Sequence, residues 1–225
     1  MKDFLDMLSE LSKYGFDILS MIVGAFAIIM ALYWKAIVKI VMNRIKSNEQ
    51  KENKEREQYS INTGQEINEI LCDIVEKDIA ISNVILCNYH NGNDSAANLS
   101  YFYFTSICEA FGNTTNQCFD IWREKSYLNF QPELKYIHQH RSAIINLNDP
   151  EDVEILPKFS KLVELSKTEM GLILPIVGIS SNIGFVVILY REAQDIKDRA
   201  GYIYTFSEQI ERLAVIMNYT KKKFK

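Results

Sequence analysis

Apolar and polar positions divide this chain into three patterns. Residues 18–34, ILSMIVGAFAIIMALYW, run for seventeen positions without a charge, with Ile18 and Trp34 at the ends. Residues 43–60, NRIKSNEQKENKEREQYS, are almost wholly polar and contain neither Pro nor Gly. Beyond residue 60, apolar positions recur at the short periods of ordinary helices and strands.

The first pattern predicts a membrane-spanning helix. Seventeen helical residues reach roughly 26 Å at 1.5 Å each, against a hydrocarbon core about 30 Å thick. Phe16 lengthens one end. At the other, Lys35 and Lys39 can snorkel while Ile37, Val38, Ile40, Val41 and Met42 continue the apolar surface. The predicted span is therefore 16–42, with Tyr33 and Trp34 suited to an interfacial belt. A buried core helix would show a shorter run. A cleaved signal peptide is opposed by Asp3, Asp6 and Glu10 ahead of the run, and by the lack of a small-residue cleavage pattern after it. Lys35, Lys39, Arg44 and Lys46 follow the run with no acid among them, whereas residues 1–15 carry two lysines. That bias places the C-terminal side in the cytoplasm. Residues 1–15 read either as an interfacial helix, with Phe4, Leu8 and Leu11 on one face, or as a frayed terminus.

The second pattern predicts a charged helical stalk. No apolar heptad runs through it, so a parallel coiled coil is not expected.

The third pattern predicts one domain over 61–225. Ile67, Ile70, Leu71, Ile74 and Val75 form a helical stripe. Residues 83–88, NVILCN, have strand length and lead into Tyr89-His90-Asn91-Gly92-Asn93, where Asn-Gly signals a turn. Residues 101–111, YFYFTSICEAF, suit a strand or a strand followed by a helix. Residues 134–140 suit a short helix and 143–147 a strand, ended by Asn148-Asp149-Pro150. Pro150 can open a helix whose first turn carries Glu151, Asp152 and Glu154. Ile155, Leu156, Phe159, Leu162 and Val163 would supply its buried stripe. GLILPIVGI and IGFVVILY, joined at Ser180-Ser181-Asn182, read as a hairpin. Pro175 demotes its first strand to an edge position or a bulge. A long helix follows from about Ile196, with Ile203, Phe206, Ile210, Leu213, Ala214 and Met217 at helical steps. The order predicts an α+β class: an antiparallel sheet with flanking helices to one side.

Composition changes this picture little. The chain is 48% hydrophobic and 24% charged with net charge −4, so its scattered bases argue against nucleic-acid binding. Cys72, Cys87, Cys108 and Cys118 match neither zinc nor redox spacing. Cys72 and Cys87 sit in apolar patterns and are expected as buried structural thiols, in keeping with a reducing compartment. In that compartment the Asn-x-Ser/Thr triplets at Asn93, Asn98, Asn113 and Asn218 are chance matches.

The opening helix, NVILCN, IINLNDPED, the hairpin GLILPIVGISSNIGFVVILY and the closing helix together resemble a GAF domain, over about residues 61–222. Tyr89-His90-Asn91-Gly92 is similar to the corresponding stretch of membrane-anchored GAF-like proteins of bacteriophages and bacteria. The resemblance implies a cytoplasmic sensory or dimerisation module, often with a small molecule on the sheet face; with the apolar run, this predicts a single-pass protein of the cell inner membrane. It implies no particular cofactor: the family's cyclic-nucleotide pattern and a chromophore-attachment cysteine are both missing. No kinase, cyclase or DNA-binding segment follows residue 222, so a sensor of this kind would act through a partner or by self-association.

Candidate chemistry centres on His90. With Tyr89, Asn91, Gly92 and Glu109 it could face a ligand pocket, Gly92 allowing close backbone approach. The alternative is a turn in which His90 makes a local hydrogen bond. His138 and His140 would share a face on a strand and could hold a metal there, but not on the expected helix. Asp120 and Glu124, like Glu109, could line a cavity, with solvated acids as the default reading. No catalytic set is visible, so an enzyme is not expected. Lys221, Lys222, Lys223 and Lys225 suit either the negative end of a helix dipole or anionic lipid. Expected partners are thus the bilayer, a small-molecule ligand and a second copy. A ligand-free dimerising protein, such as a phage-encoded membrane regulator of lysis or superinfection, is the competing expectation.

Overall fold

The computed structural model describes residues 2–90, 103–112, 116–179, 181–196 and 198–223. The chain divides into two units, Met1–Ser60 and Ile61–Lys225. Helix α1 (Lys2–Glu76) supplies nearly all of the first and opens the second.

In the first unit the uncharged run is helical and its side chains are uncovered. Ile18 is 59% exposed, Phe26 64% and Trp34 69%. By length and composition this helix can cross a membrane. Further along, Glu52 and Arg56 pair at 2.8 Å on the solvated surface, one helical turn apart.

In the second unit, residues 61–76 of α1 bury Ile67, Ile70, Leu71 and Ile74. Strands β1 (Ile81–His90) and β2 (Tyr103–Phe111) follow, then a 3-10 helix (Phe119–Trp122) and the short β3 (Lys125–Ser126). Helix α2 (Tyr127–His140), β4 (Ala143–Asn146), α3 (Pro150–Ile155) and α4 (Pro157–Leu165) come next. The chain continues through β5 (Met170–Val177), β6 (Asn182–Tyr190), α5 (Arg199–Tyr204) and α6 (Ser207–Lys223). The six strands form one antiparallel sheet in the order β3-β2-β1-β6-β5-β4.

Strand alternation sorts the core into two layers. Leu172, Leu174, Val186 and Ile188 face α1 and α6, where they meet Ile70, Ile74, Phe206 and Leu213. Ile173, Val187 and Leu189 face α2 and α4, where they meet Leu134, Ile137, Phe159 and Val163. Helices therefore cover both faces of the sheet, not one. This is why β1, β5 and β6 read as continuous apolar runs: a strand buried on both faces loses the apolar–polar alternation. Helix α6 runs antiparallel to the end of α1. Arg212 pairs with Asp73 at 3.1 Å, and Lys77 Nζ donates to Thr205 O at 2.8 Å.

Several local expectations shift. β1 extends to His90, so Tyr89 and His90 lie in the strand and not in the turn after it. Residues 103–111 are wholly strand. α2 begins seven residues earlier than its apolar pattern suggests and carries Pro132 inside it. Pro157 splits the helix opened at Pro150 in two, because it lacks an N–H to continue the ladder. The closing helix is likewise two, α5 and α6. Strand β5 is not an edge strand, but Pro175 sits beyond the reach of β4, whose pairing stops at Ile173, and just before a bulge at Ile176/Val177. Cys72 is exposed, contrary to expectation, while Cys87 is buried. At 3.6 residues per turn Cys72 falls off the Ile67–Ile70–Leu71–Ile74 stripe. The side chains of Phe4, Leu8 and Lys221 to Lys223, and all of Lys225, lie outside the described residues.

Candidate functional site

The pleat sends Tyr89 and His90 to opposite faces of the sheet. Tyr89 turns inward beneath α2. Its hydroxyl lies 3.1 Å from His138 Nε2, and its ring meets Tyr127, Phe185 and His138 with centroids 5.6 to 5.8 Å apart. His138 reaches this position because Phe130, Leu134 and Ile137 turn the same helical face toward the sheet. Burial lowers its pKa from the ordinary 6.5, which favours the neutral ring. His90 pairs with Tyr103 across β1 and β2 and stacks on its ring at 5.7 Å. Asn91 and Gly92 lie outside the described residues.

Glu109 is not gathered with His90. It stands opposite Ile85, about 17 Å along the strand from His90 at 3.4 Å per residue. Its carboxylate anchors the 3-10 helix: Oε1 accepts from Asn83 Nδ2 and from the Cys118 N–H, both at 2.9 Å, and Oε2 accepts from the Phe119 N–H at 3.1 Å. Burial nevertheless raises its pKa, outweighing the three donors. Asp120 is exposed near Arg123. His138 and His140 sit on α2 with different surroundings. His140 is exposed, stacked on Tyr136 at 4.1 Å, with Nδ1 2.9 Å from Tyr136 O.

The inner face beneath Tyr89 is filled by rings. Phe104 meets Phe130 and Phe185 at 5.1 Å, and Phe159 stacks against Trp122 at 5.9 Å. Trp122 Nε1 is satisfied by Ser166 Oγ at 3.1 Å. Among the described residues, aromatic side chains therefore fill the sheet face beneath Tyr89.

Open space lies instead along the outer edge of β4. One cavity of about 160 Å³ is lined by Tyr136, His140, Ser142, Ile144, Asp152 and Arg199, among others. A second, of about 310 Å³, shares Ile144 and Arg199 with it and adds Asn146, Gln194 and Asp195. Asp152 is buried, and its Oδ2 accepts the Asn146 N–H at 3.1 Å. Arg199 opens α5 behind Asp198, whose Oδ1 accepts the Gly201 N–H at 2.9 Å. No sequence motif marks this set, because its members come from α2, β4, α3 and α5. Its one legible trace was His140, weighed for a metal and not for a cleft.

No family model and no curated relative matches the sequence. Solved structures do match in shape. The GAF domain region of a putative membrane protein from Geobacter sulfurreducens aligns with 73% of this chain and 99% of its own, at 8% identity and TM-score 0.52. The phycocyanobilin-bound GAF domain of a cyanobacterial phytochrome aligns with 75% of this chain and 91% of its own, at 11% identity and TM-score 0.51. The GAF domain of a two-component sensor histidine kinase from Bacillus halodurans aligns with 72% and 97%, at 11% identity and TM-score 0.49. At these identities the likeness is one of fold: a long N-terminal helix leads into a GAF-like α+β unit.

Proposed function

We propose that this chain is a single-pass membrane protein that presents a GAF-fold sensory domain to the cytoplasm. There the domain binds a small ligand or a protein partner and performs no catalysis itself. The observation that carries the reading is the uncovered apolar run of α1, residues 18–34, ahead of a unit with the GAF fold. Water would not tolerate that surface. Its eight Ile, Leu, Val and Phe residues favour insertion by about 2 to 5 kcal/mol in total at roughly 0.3 to 0.6 each. The basic cluster from Lys35 to Lys46 sets the direction.

Exposed Cys72 provides the test. The chain, expressed in bacterial cells, is expected to resist alkaline extraction from the inner membrane. Cys72 should resist an impermeant maleimide in intact spheroplasts and react once they are lysed. Labelling before lysis would reverse the topology, and release by alkaline wash would remove the anchor.

A second reading has its own support. Val215 and Tyr219, one turn apart on α6, are both largely exposed. A ligand-free module that pairs with a second copy through this face would cover them. Sedimentation of the full chain in detergent should then show a dimer that Val215→Glu dissociates. A strict monomer would dismiss this reading.

A further inference from the structure

The cleft along β4 has three properties that together define a ligand. Its floor is apolar, from Ile144, Ile155 and Ile203. Its walls carry opposite charges. Asp152 is largely buried and commits one oxygen to the Asn146 N–H, while its second oxygen has no protein donor among the described residues and opens into the cleft. Arg199 lines the same cavity and makes no ion pair among the described residues. The cleft also runs along a strand edge. The Asn146 N–H points away from β5 to Asp152, so Ile144, two residues back, turns its own N–H and C=O to the same outer side.

A guanidinium recognises a carboxylate through paired N–H donors. A carboxylate oxygen that opens into the cleft accepts N–H donors, and a cationic one best, through a charge-assisted hydrogen bond. An outward N–H and C=O add a donor and an acceptor between the two. Room of about 160 Å³ equals roughly five waters' share of liquid volume. That suits a small metabolite better than the roughly 300 to 1,000 Å³ typical of drug-sized ligands. The adjoining cavity beyond Arg199 leaves space for a side chain.

We propose that the cleft between β4, α3 and α5 binds a small zwitterion of the α-amino-acid class, its carboxylate on Arg199 and its ammonium on Asp152. The stacked Tyr136–His140 pair forms the wall beside it. This deepens the ligand half of the proposed function and rests on it. It places the ligand at the sheet edge, between the helical layers, and away from the ring-filled face under Tyr89.

The test uses the full chain in lipid nanodiscs and the twenty proteinogenic L-amino acids as probes, with the matching N-acetyl amino acids and primary amines as controls. Calorimetry is expected to find at least one amino acid that binds, with each control at least tenfold weaker. Arg199→Ala, an exposed site whose loss leaves the core intact, should weaken that binding at least tenfold. Asp152→Asn keeps an acceptor for the Asn146 N–H and should weaken it comparably. Binding unchanged in Arg199→Ala, or equal binding of the amine-blocked controls, would overturn the site while leaving a ligand-binding domain in place. Binding of none of the twenty would overturn the proposed class. Native mass spectrometry of the same sample, by finding or not finding some other bound molecule, then decides separately whether the ligand half of the function survives.

Discussion

Two carboxylates, buried Glu133 and half-buried Glu109, act on this fold as backbone anchors. Glu109 holds the Cys118 and Phe119 N–H groups, and Glu133 on α2 holds those of Lys158 and Phe159 at the start of α4. Burial raises both pKa values above the ordinary 4.5, against the lowering effect of their donors. A raised folded-state value means the folded chain holds its proton to higher pH than the unfolded chain. The stability so gained is complete below pH 4.5 and is lost as pH rises through the raised value. Glu133→Gln should remove that pH step, so wild type minus variant stability, from urea titrations at several pH values, should fall between pH 4.5 and 7. A flat difference would deny the shift. The thiols give a second test at this scale. Burial, with help from Glu109, pushes Cys118 up to about 11, and Cys87 is fully buried. Maleimide should therefore modify Cys72 first at pH 7.5, Cys108 more slowly, and Cys87 and Cys118 only on unfolding, as followed by mass spectrometry.

Among the elements, the central strands tolerate least. Gly184 in β6 lies against β1 so closely that a Cβ would fall 2.2 Å from Cys87 O. Gly184→Ala should cost about 1–3 kcal/mol by overpacking the sheet, read as a lower urea midpoint with unchanged slope. Helix α4 depends on a neighbour for its N-terminus. Leu156 makes no side-chain cap, and Glu133 supplies the missing acceptors from α2. Glu133→Ala leaves two N–H groups without that partner and should cost about 1–3 kcal/mol, more than the Gln variant. Equal loss in both would assign the effect to packing instead.

At the scale of the whole molecule, the proposed anchoring turns on one balance. Replacing Ile22 and Ile29 with Arg adds about 2.5 to 3.5 kcal/mol each, enough to cancel the total gain from the run. The double variant should leave the membrane fraction, which fractionation checks directly; retention there would mean that something other than the span holds the chain. The apolar run, the polar stretch after it and the α+β order were legible from sequence because charge and apolar periodicity are local properties. The hairpin of β5 and β6 was legible for the same reason. Burial on both faces was not, since a strand's second cover comes from helices far along the chain, α1 and α6 at its two ends. Nor was the exposure of Cys72, which depends on which stripe of α1 packs. The candidate site shows the division most clearly. Tyr89 and His90 are adjacent in β1 and Glu109 lies on the neighbouring β2, yet pleat and register part them by face and by length. Tyr136, Asp152 and Arg199 are distant in sequence, and only the meeting of two helical layers at the edge of β4 sets them around one cleft. Sequence alone thus determined the long apolar run, the class of fold and the β5–β6 hairpin, because each follows from local pattern. Tertiary structure alone decided where space remains, because a cavity is what packing between distant elements fails to fill.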